Sequence, residues 1–209
     1  MFGVRPFGGQ PSPRVLLGAG LPVRKVCAGC GVCGPRERPV VTAMRIAGCD
    51  YSTHAIDLVS LPWDDGGPPK WRRIDLDGWD HGAFPATLRV RGRMRGTHSF
   101  FEDVANLYLE KPFGLPQTMW ALGLVAGAIV ASLPQQLVEE GAVSQINQPE
   151  WTRKLTGRGD TSKDDRIEHL RGLGFDLGAK ADHNAYDALG IAYVAREEIL
   201  HAFRGLKSA

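Results

Sequence analysis

A run of small and apolar residues, Arg45-Ile46-Ala47-Gly48-Cys49-Asp50, ends abruptly on a carboxylate. The run reads as a strand, and a strand this apolar belongs in a sheet covered on both faces. Its last residue is thereby delivered to the edge of a core, where an uncompensated charge is costly. Two further acids share this situation. Glu110 closes the strand pattern that begins at Val104. Asp187 stands near the start of a helical pattern, and Gly190, Ile191 and Val194 at i+3, i+4 and i+7 form an apolar stripe that turns its side chain toward a sheet. Any one such acid reads as a helix cap or a buried hydrogen-bond hub. Three of them at element ends point to a shared cation. Hard oxygen ligands suit magnesium, with manganese as a substitute. Two such ions about 4 Å apart can clamp a phosphodiester and activate water.

The other elements follow from periodicity and breakers. Residues 45–50 and 55–61 read as two strands joined by a short turn, and 71–75 as a third, which makes an antiparallel meander. In residues 83–96 Arg89, Arg91, Arg93 and Arg95 alternate as in a strand, but Pro85 after Phe84 fits a helix start, and the reading leans to helix. Residues 117–133 read as a helix whose Ala and Gly residues permit close approach to a sheet. A short buried strand is expected at 142–146. A helix capped by Ser162 or Thr161 is expected to run to about Leu173, and a last helix from about Asn184 to Phe203. Strands first and then alternating with helices make the class α/β or α+β around one mixed sheet.

Residues 1–43 are rich in Gly, Pro and Arg and follow neither period, so they are expected to be a flexible, disordered basic extension ahead of an ordered domain at 44–209. Cys27, Cys30 and Cys33 within the extension have spacing suited to a zinc knuckle, one ligand short of a closed site. The extension holds six Lys and Arg against the single acid Glu37, which leaves the remainder mildly acidic. Nucleic acid would then be gripped through local basic patches and not by bulk charge. A long charge-free stretch, 115–138, is broken by prolines and glutamines, and its apolar heart of 15 residues is short of the roughly 20 that span a bilayer. No membrane segment or signal peptide is expected, and four Cys make no secreted disulfide framework, so the expected location is cytoplasmic.

Four segments in order resemble the RuvC-type Holliday junction resolvases of the RNase H-like superfamily. Arg45 to Ser52 resembles their opening strand. Leu109-Glu110-Lys111-Pro112-Phe113-Gly114 resembles their second acidic motif, in a short form closer to phage or actinobacterial relatives. Thr156-Gly157-Arg158-Gly159 with Lys163 beyond it resembles their Thr-Gly-x-Gly segment, and Asn184-Ala185-Tyr186-Asp187-Ala188-Leu189 their terminal helix start. The resemblance runs from Met44 to about Phe203.

The resemblance implies an RNase H-like five-stranded mixed sheet flanked by helices, and it implies a helix at 83–96. It brings Asp50, Glu110 and Asp187 together as catalytic ligands of two magnesium ions. The family commonly has a fourth acid where this chain has Asn184, so either Asn184 or the preceding His183 is the expected fourth ligand. Lys163 is expected near the scissile phosphate as a catalytic residue, and Phe113 as the aromatic that wedges against an unstacked base. Arg91, Arg95, Lys154 and Arg158 are the candidate phosphate contacts. Trp120 and Trp151 read as core or dimer packing. The implied activity is resolution of four-way DNA junctions by paired symmetric nicks, which calls for a homodimer. Two rivals remain: another RNase H-like nuclease acting on branched DNA or RNA–DNA hybrids, and a junction-binding protein with weakened catalysis.

Overall fold

A computed structural model describes residues 44–64, 67–76 and 83–206, with side chains described from residue 87 onward in the last segment. The extension at 1–43, its Cys27/Cys30/Cys33 group and its expected flexibility lie outside the described residues. The order of elements is β1 (Arg45–Tyr51), β2 (Ala55–Pro62), β3 (Lys70–Asp75), α1 (Ala83–Met94), a 3-10 stretch (Arg95–Phe100), β4 (Val104–Glu110), α2 (Pro116–Val130), α3 (Gln135–Glu139), β5 (Val143–Ile146), α4 (Gln148–Thr156), α5 (Lys163–Gly172) and α6 (His183–Leu206).

One five-stranded sheet, in the order β3-β2-β1-β4-β5, organises the domain. β1, β2 and β3 form the expected antiparallel meander, whereas β4 runs parallel to β1 and β5 parallel to β4. β1 and β2 occupy the centre because almost every residue in them is buried, as a strand covered on both faces requires. The turn between them is tied by Ser52, whose Oγ accepts from the amides of His54 and Ala55.

Alternation along the strands divides the core in two. Ala47, Cys49, Leu58, Leu107 and Leu109 meet Val90 and Met94 of α1 and Val125, Ala126 and Ile129 of α2 on one face. Val59 and Leu61 on the other face meet Trp151 and Leu155 of α4, Leu170 of α5, and Tyr186, Leu189 and Ile191 of α6. Each fully buried Leu or Ile contributes about 1.5–3 kcal/mol of transfer free energy, so both layers are needed.

Three details differ from the sequence-based expectation. Helix α4 is additional to it, although Asn147 at the cap position, Pro149 in the first turn and Gly157 in the left-handed conformation at the end (φ 80°) are all helix boundary signals. The short α3 is additional as well. In α2 the contact with the core is made by Val125, Ala126 and Ile129, while Gly123 and Gly127 meet nothing and face outward. Trp151 is fully buried as core, whereas Trp120 is 63% exposed.

Gly48 sets the position of α6. A Cβ at Gly48 would lie 2.1 Å from the Ala188 carbonyl oxygen and 2.6 Å from the Ala192 nitrogen. The helix backbone therefore rests directly on the central strand, which only glycine allows.

Candidate active site

The parallel register of β1 and β4 pairs Cys49 with Leu109, so the next residues, Asp50 and Glu110, end their strands side by side. Both point to the face covered by α6. The Tyr51 hydroxyl donates to the Glu110 carbonyl oxygen at 2.8 Å and fixes the two strand ends together. Asp187 immediately precedes Ala188, the residue seated over Gly48, and so reaches the same place from above. Three distant segments thus place Asp50, Glu110 and Asp187 within electrostatic reach of one another at the end of β1.

Electrostatics record how crowded that point is. Burial, and then the Asp187 charge, raise the Asp50 carboxyl to about 7. Burial, and then the charges of Asp50 and Asp187, raise Glu110 to about 8. Both strand-end carboxyls are thus shifted toward protonation, by burial first and then by neighbouring negative charge. Burial also raises Asp187, opposed by Arg166, then by Lys163 and His183.

Arg166 of α5 is a residue that sequence reasoning does not single out. Its Nε and Nη2 donate to the two Asp187 oxygens, each at 2.9 Å, and its Nη1 donates to the Thr161 carbonyl at 2.9 Å. Arg166 is 3% exposed and Asp187 5%, and the guanidinium lies 5.2 Å from the centre of the Trp151 ring. Such a fork satisfies a buried carboxylate that would otherwise be very costly. The available signal is helical spacing: Arg166 follows Lys163 by three residues on α5.

Asp57 escapes sequence reasoning as well. It pairs with Asp50 across β1 and β2, so it shares the α6 face, and it is fully buried. Trp71 Nε1 donates to one oxygen at 3.0 Å and Arg73 Nη1 to the other at 3.3 Å. The same Arg73 nitrogen reaches Asp182 at 2.6 Å. Asp182 in turn caps α6, accepting from the amides of Asn184 and Ala185. Arg73 thereby links the sheet beside Asp50 to the first turn of α6. An acid breaking the apolar run of β2 is the signal that the sequence offers.

The remaining candidates are distributed unevenly. Lys163 begins α5 after Ser162, whose Oγ caps the helix, and His183 and Asn184 open α6 on the turn before Asp187. Phe113 is 72% exposed on the loop after Glu110. Lys154 engages Glu150 at 2.7 Å and Glu198 at 2.5 Å, so its ammonium is held within the protein surface. Arg158 is exposed and lies 3.5 Å from Asp160. Arg91 and Arg95 belong to the α1 side, the sheet face opposite the carboxylates.

The donor chemistry suits a hard divalent cation: adjacent carboxylates repel one another, and a cation would relieve the repulsion that raises both. As the side chains stand, no group of three or more His, Cys, Asp or Glu among the described residues is arranged around a metal position. Both Asp187 oxygens are taken by Arg166. Asp50 and Glu110 therefore form the ready part of the site.

A scan of family models finds no match to the sequence, and a search of curated proteins finds none either. Solved structures do match. The chain is similar to RuvC of Thermus thermophilus at 21% identity and a TM-score of 0.56, covering 76% of this chain and 97% of that one. It is similar to T. thermophilus RuvC in complex with Holliday junction substrate at 19% identity and a TM-score of 0.58, covering 74% and 96%. The yeast mitochondrial Holliday junction resolvase Ydc2 matches at 10% identity and a TM-score of 0.53, covering 80% and 86%. The chain has the RuvC-like fold.

Proposed function

We propose that this protein is a metal-dependent, structure-selective endonuclease that resolves four-way DNA junctions as a homodimer. The observation that supports the proposal is the side-by-side placing of Asp50 and Glu110 on a RuvC-like fold, with Asp187 within electrostatic reach, where burial and neighbouring charge raise both strand-end carboxyls.

Asp50 and Glu110 would hold the divalent cation, magnesium by preference, with Asp187 and either Asn184 or His183 completing its surroundings. Such an ion supplies Lewis acidity, lowering the pKa of water and offsetting charge on the leaving oxygen. The protein does the rest. Arg73, through Asp57 and Asp182, fixes the start of α6 against β1 and so fixes Asp187 over Asp50. Lys163 lies close enough to Asp187 to lower its pKa, and from the exposed start of α5 it meets the phosphate. Arg166 supplies a permanent positive charge behind Asp187. A second ion, which the family resemblance implies, requires Asp187 to exchange Arg166 for metal.

Synthetic four-way, three-way, flap and linear DNAs, and an RNA–DNA hybrid, incubated with the protein in magnesium test the proposal. Paired nicks at symmetric positions of the four-way junction are expected, falling by about a hundredfold or more in Asp50→Asn. Cleavage of the hybrid or flap alone would favour another RNase H-like nuclease. Junction binding with equal, negligible nicking by wild type and Asp50→Asn would leave a binding protein.

A further inference from the structure

Arg166 is built into the carboxylate centre on three sides. Its fork closes on both Asp187 oxygens, and its Nη1 donates to the Thr161 carbonyl, all at 2.9 Å. Thr161 directly precedes the Ser162 cap of α5, so this third bond ties the guanidinium to a fixed helix start. The fully buried Trp151 ring covers one face at 5.2 Å. At 3% and 5% exposure, neither Arg166 nor Asp187 has bulk water to fall back on. A guanidinium does not deprotonate in proteins, so the centre contains a resident cation. Its charge reaches past its partner: burial, then Asp50 and Asp187, push Glu110 up, and Arg166 opposes them.

The two-ion arrangement that the family resemblance implies does not fit these residues. Two ions about 4 Å apart clamp one phosphate between them and draw on a shared set of carboxylate oxygens. Here a bidentate fork already engages both oxygens of Asp187. Charge points the same way. Asp50, Glu110 and Asp187 bring three negative charges, and the one positive charge of Arg166 leaves two negative. One divalent ion balances that total. Two would overshoot by two, and an arriving phosphodiester carries only one negative charge. Asn184 stands where the resemblance has a fourth acid and adds nothing to the negative side. Asp57, the other buried acid beside Asp50, is already engaged by Trp71 and Arg73.

On these grounds, and resting on the reading of the protein as a junction nuclease, we propose that Arg166 stands in for the second divalent ion. Each protomer then works with one ion and one buried guanidinium. Asp50 and Glu110 bind the ion, while Arg166 neutralises Asp187 and fixes it within their electrostatic reach. Arg166 is a positioning residue, since at 3% exposure it acts through Asp187 and not by touching the phosphate.

Manganese in place of magnesium makes the ions countable. Full-length protein is titrated with Mn2+, with and without a four-way junction, and bound ions are read by electron paramagnetic resonance, with Asp50→Asn as background. Wild type is expected to hold one ion per protomer with the spectrum of an isolated ion. Its nicking rate should rise with about the first power of Mn2+ concentration. Arg166→Met keeps a side chain of similar length against Trp151 and removes the charge. It should take up a second ion, spin-coupled to the first as ions about 4 Å apart are, and the power should move to about two. Arg166→Lys keeps the charge and loses the fork, so it should stay at one ion while nicking falls about tenfold. A spin-coupled pair in wild type overturns the proposal, whether or not the variants fold. So does an Arg166→Met protein that melts cooperatively yet holds a single isolated ion. A wild type that binds one isolated ion but nicks no branched DNA would sink the nuclease reading, and leave the exchange of Arg166 for an ion intact.

Discussion

At the scale of single residues, the raised carboxyls of Asp50 and Glu110 make stability depend on pH in an unusual direction. In the unfolded chain these groups ionise near 3.8 and 4.5, whereas in the fold they are raised to about 7 and about 8. Between these values the folded state binds more protons than the unfolded state. Their contribution is therefore present at low pH and is lost as pH rises through the folded values, the reverse of a salt-bridged carboxylate. Thermal unfolding in chelator should show a melting temperature that declines between pH 5 and pH 9, and Asp50→Asn or Glu110→Gln should flatten the decline. Each unit of pKa displacement relieved corresponds to roughly 3–5 °C in a domain of this size. Magnesium should restore the loss at pH 8 more than at pH 5, because at low pH it competes with the proton. A melting temperature that climbs with pH, with wild type and both variants alike, would contradict the raised carboxyl pair.

At the scale of elements, the decisive contact is α6 on β1. Gly48→Ala would drive a Cβ into the Ala188 carbonyl, a backbone atom that can yield only if the helix moves. The expected cost is about 1–3 kcal/mol, and the displacement of Asp187 from Asp50 should lower nicking further than the lost stability explains. Gly92→Ala on the exposed side of α1 is the matched control, with nothing within reach of its new methyl group, and should stabilise the helix by about 0.5–1 kcal/mol. Melting curves together with single-turnover nicking check both. These contacts also show what the sequence could disclose. Strand ends and helix starts were legible because a charge that interrupts an apolar run must be compensated by something, so Asp50, Glu110 and Asp187 stood out, and the fold sets Asp50 and Glu110 side by side with Asp187 in electrostatic reach. Arg166, Arg73 and Asp57 did not stand out, because each takes its meaning from partners 14 to 109 residues away in sequence. Only the fold shows that Arg166 grips Asp187, and that Arg73 spans from the sheet to the cap of α6. Helix α4 is hidden for a different reason: its polar residues blur the helical period, and its end runs into the Thr156–Gly159 motif.

At the scale of the whole molecule, one centre of three acids can cut one strand, and resolving a junction needs two cuts related by symmetry. The helical layer of α1 and α2 lies on the side of the sheet away from the carboxylates, and α2 leaves an outward face that the described chain does not cover. Trp120 is 63% exposed there, Met119 is 44% exposed, and Gly123 and Gly127 have open space above them. Two copies of α2 meeting through this face would let the small residues approach closely while each Trp120 packs on the partner, and both carboxylate centres would remain accessible. Trp120→Arg places two charges into that contact without touching the core of either protomer. Sedimentation equilibrium should report a dimer for wild type and a monomer for the variant, with the melting temperature of the monomer little changed. On a cruciform plasmid, wild type should linearise by coincident nicks, and the variant should accumulate the singly nicked circle. Coincident cleavage by a Trp120→Arg monomer would show that the second cut comes from re-binding, and a dimer undisturbed by the change would move the interface to another face of the fold.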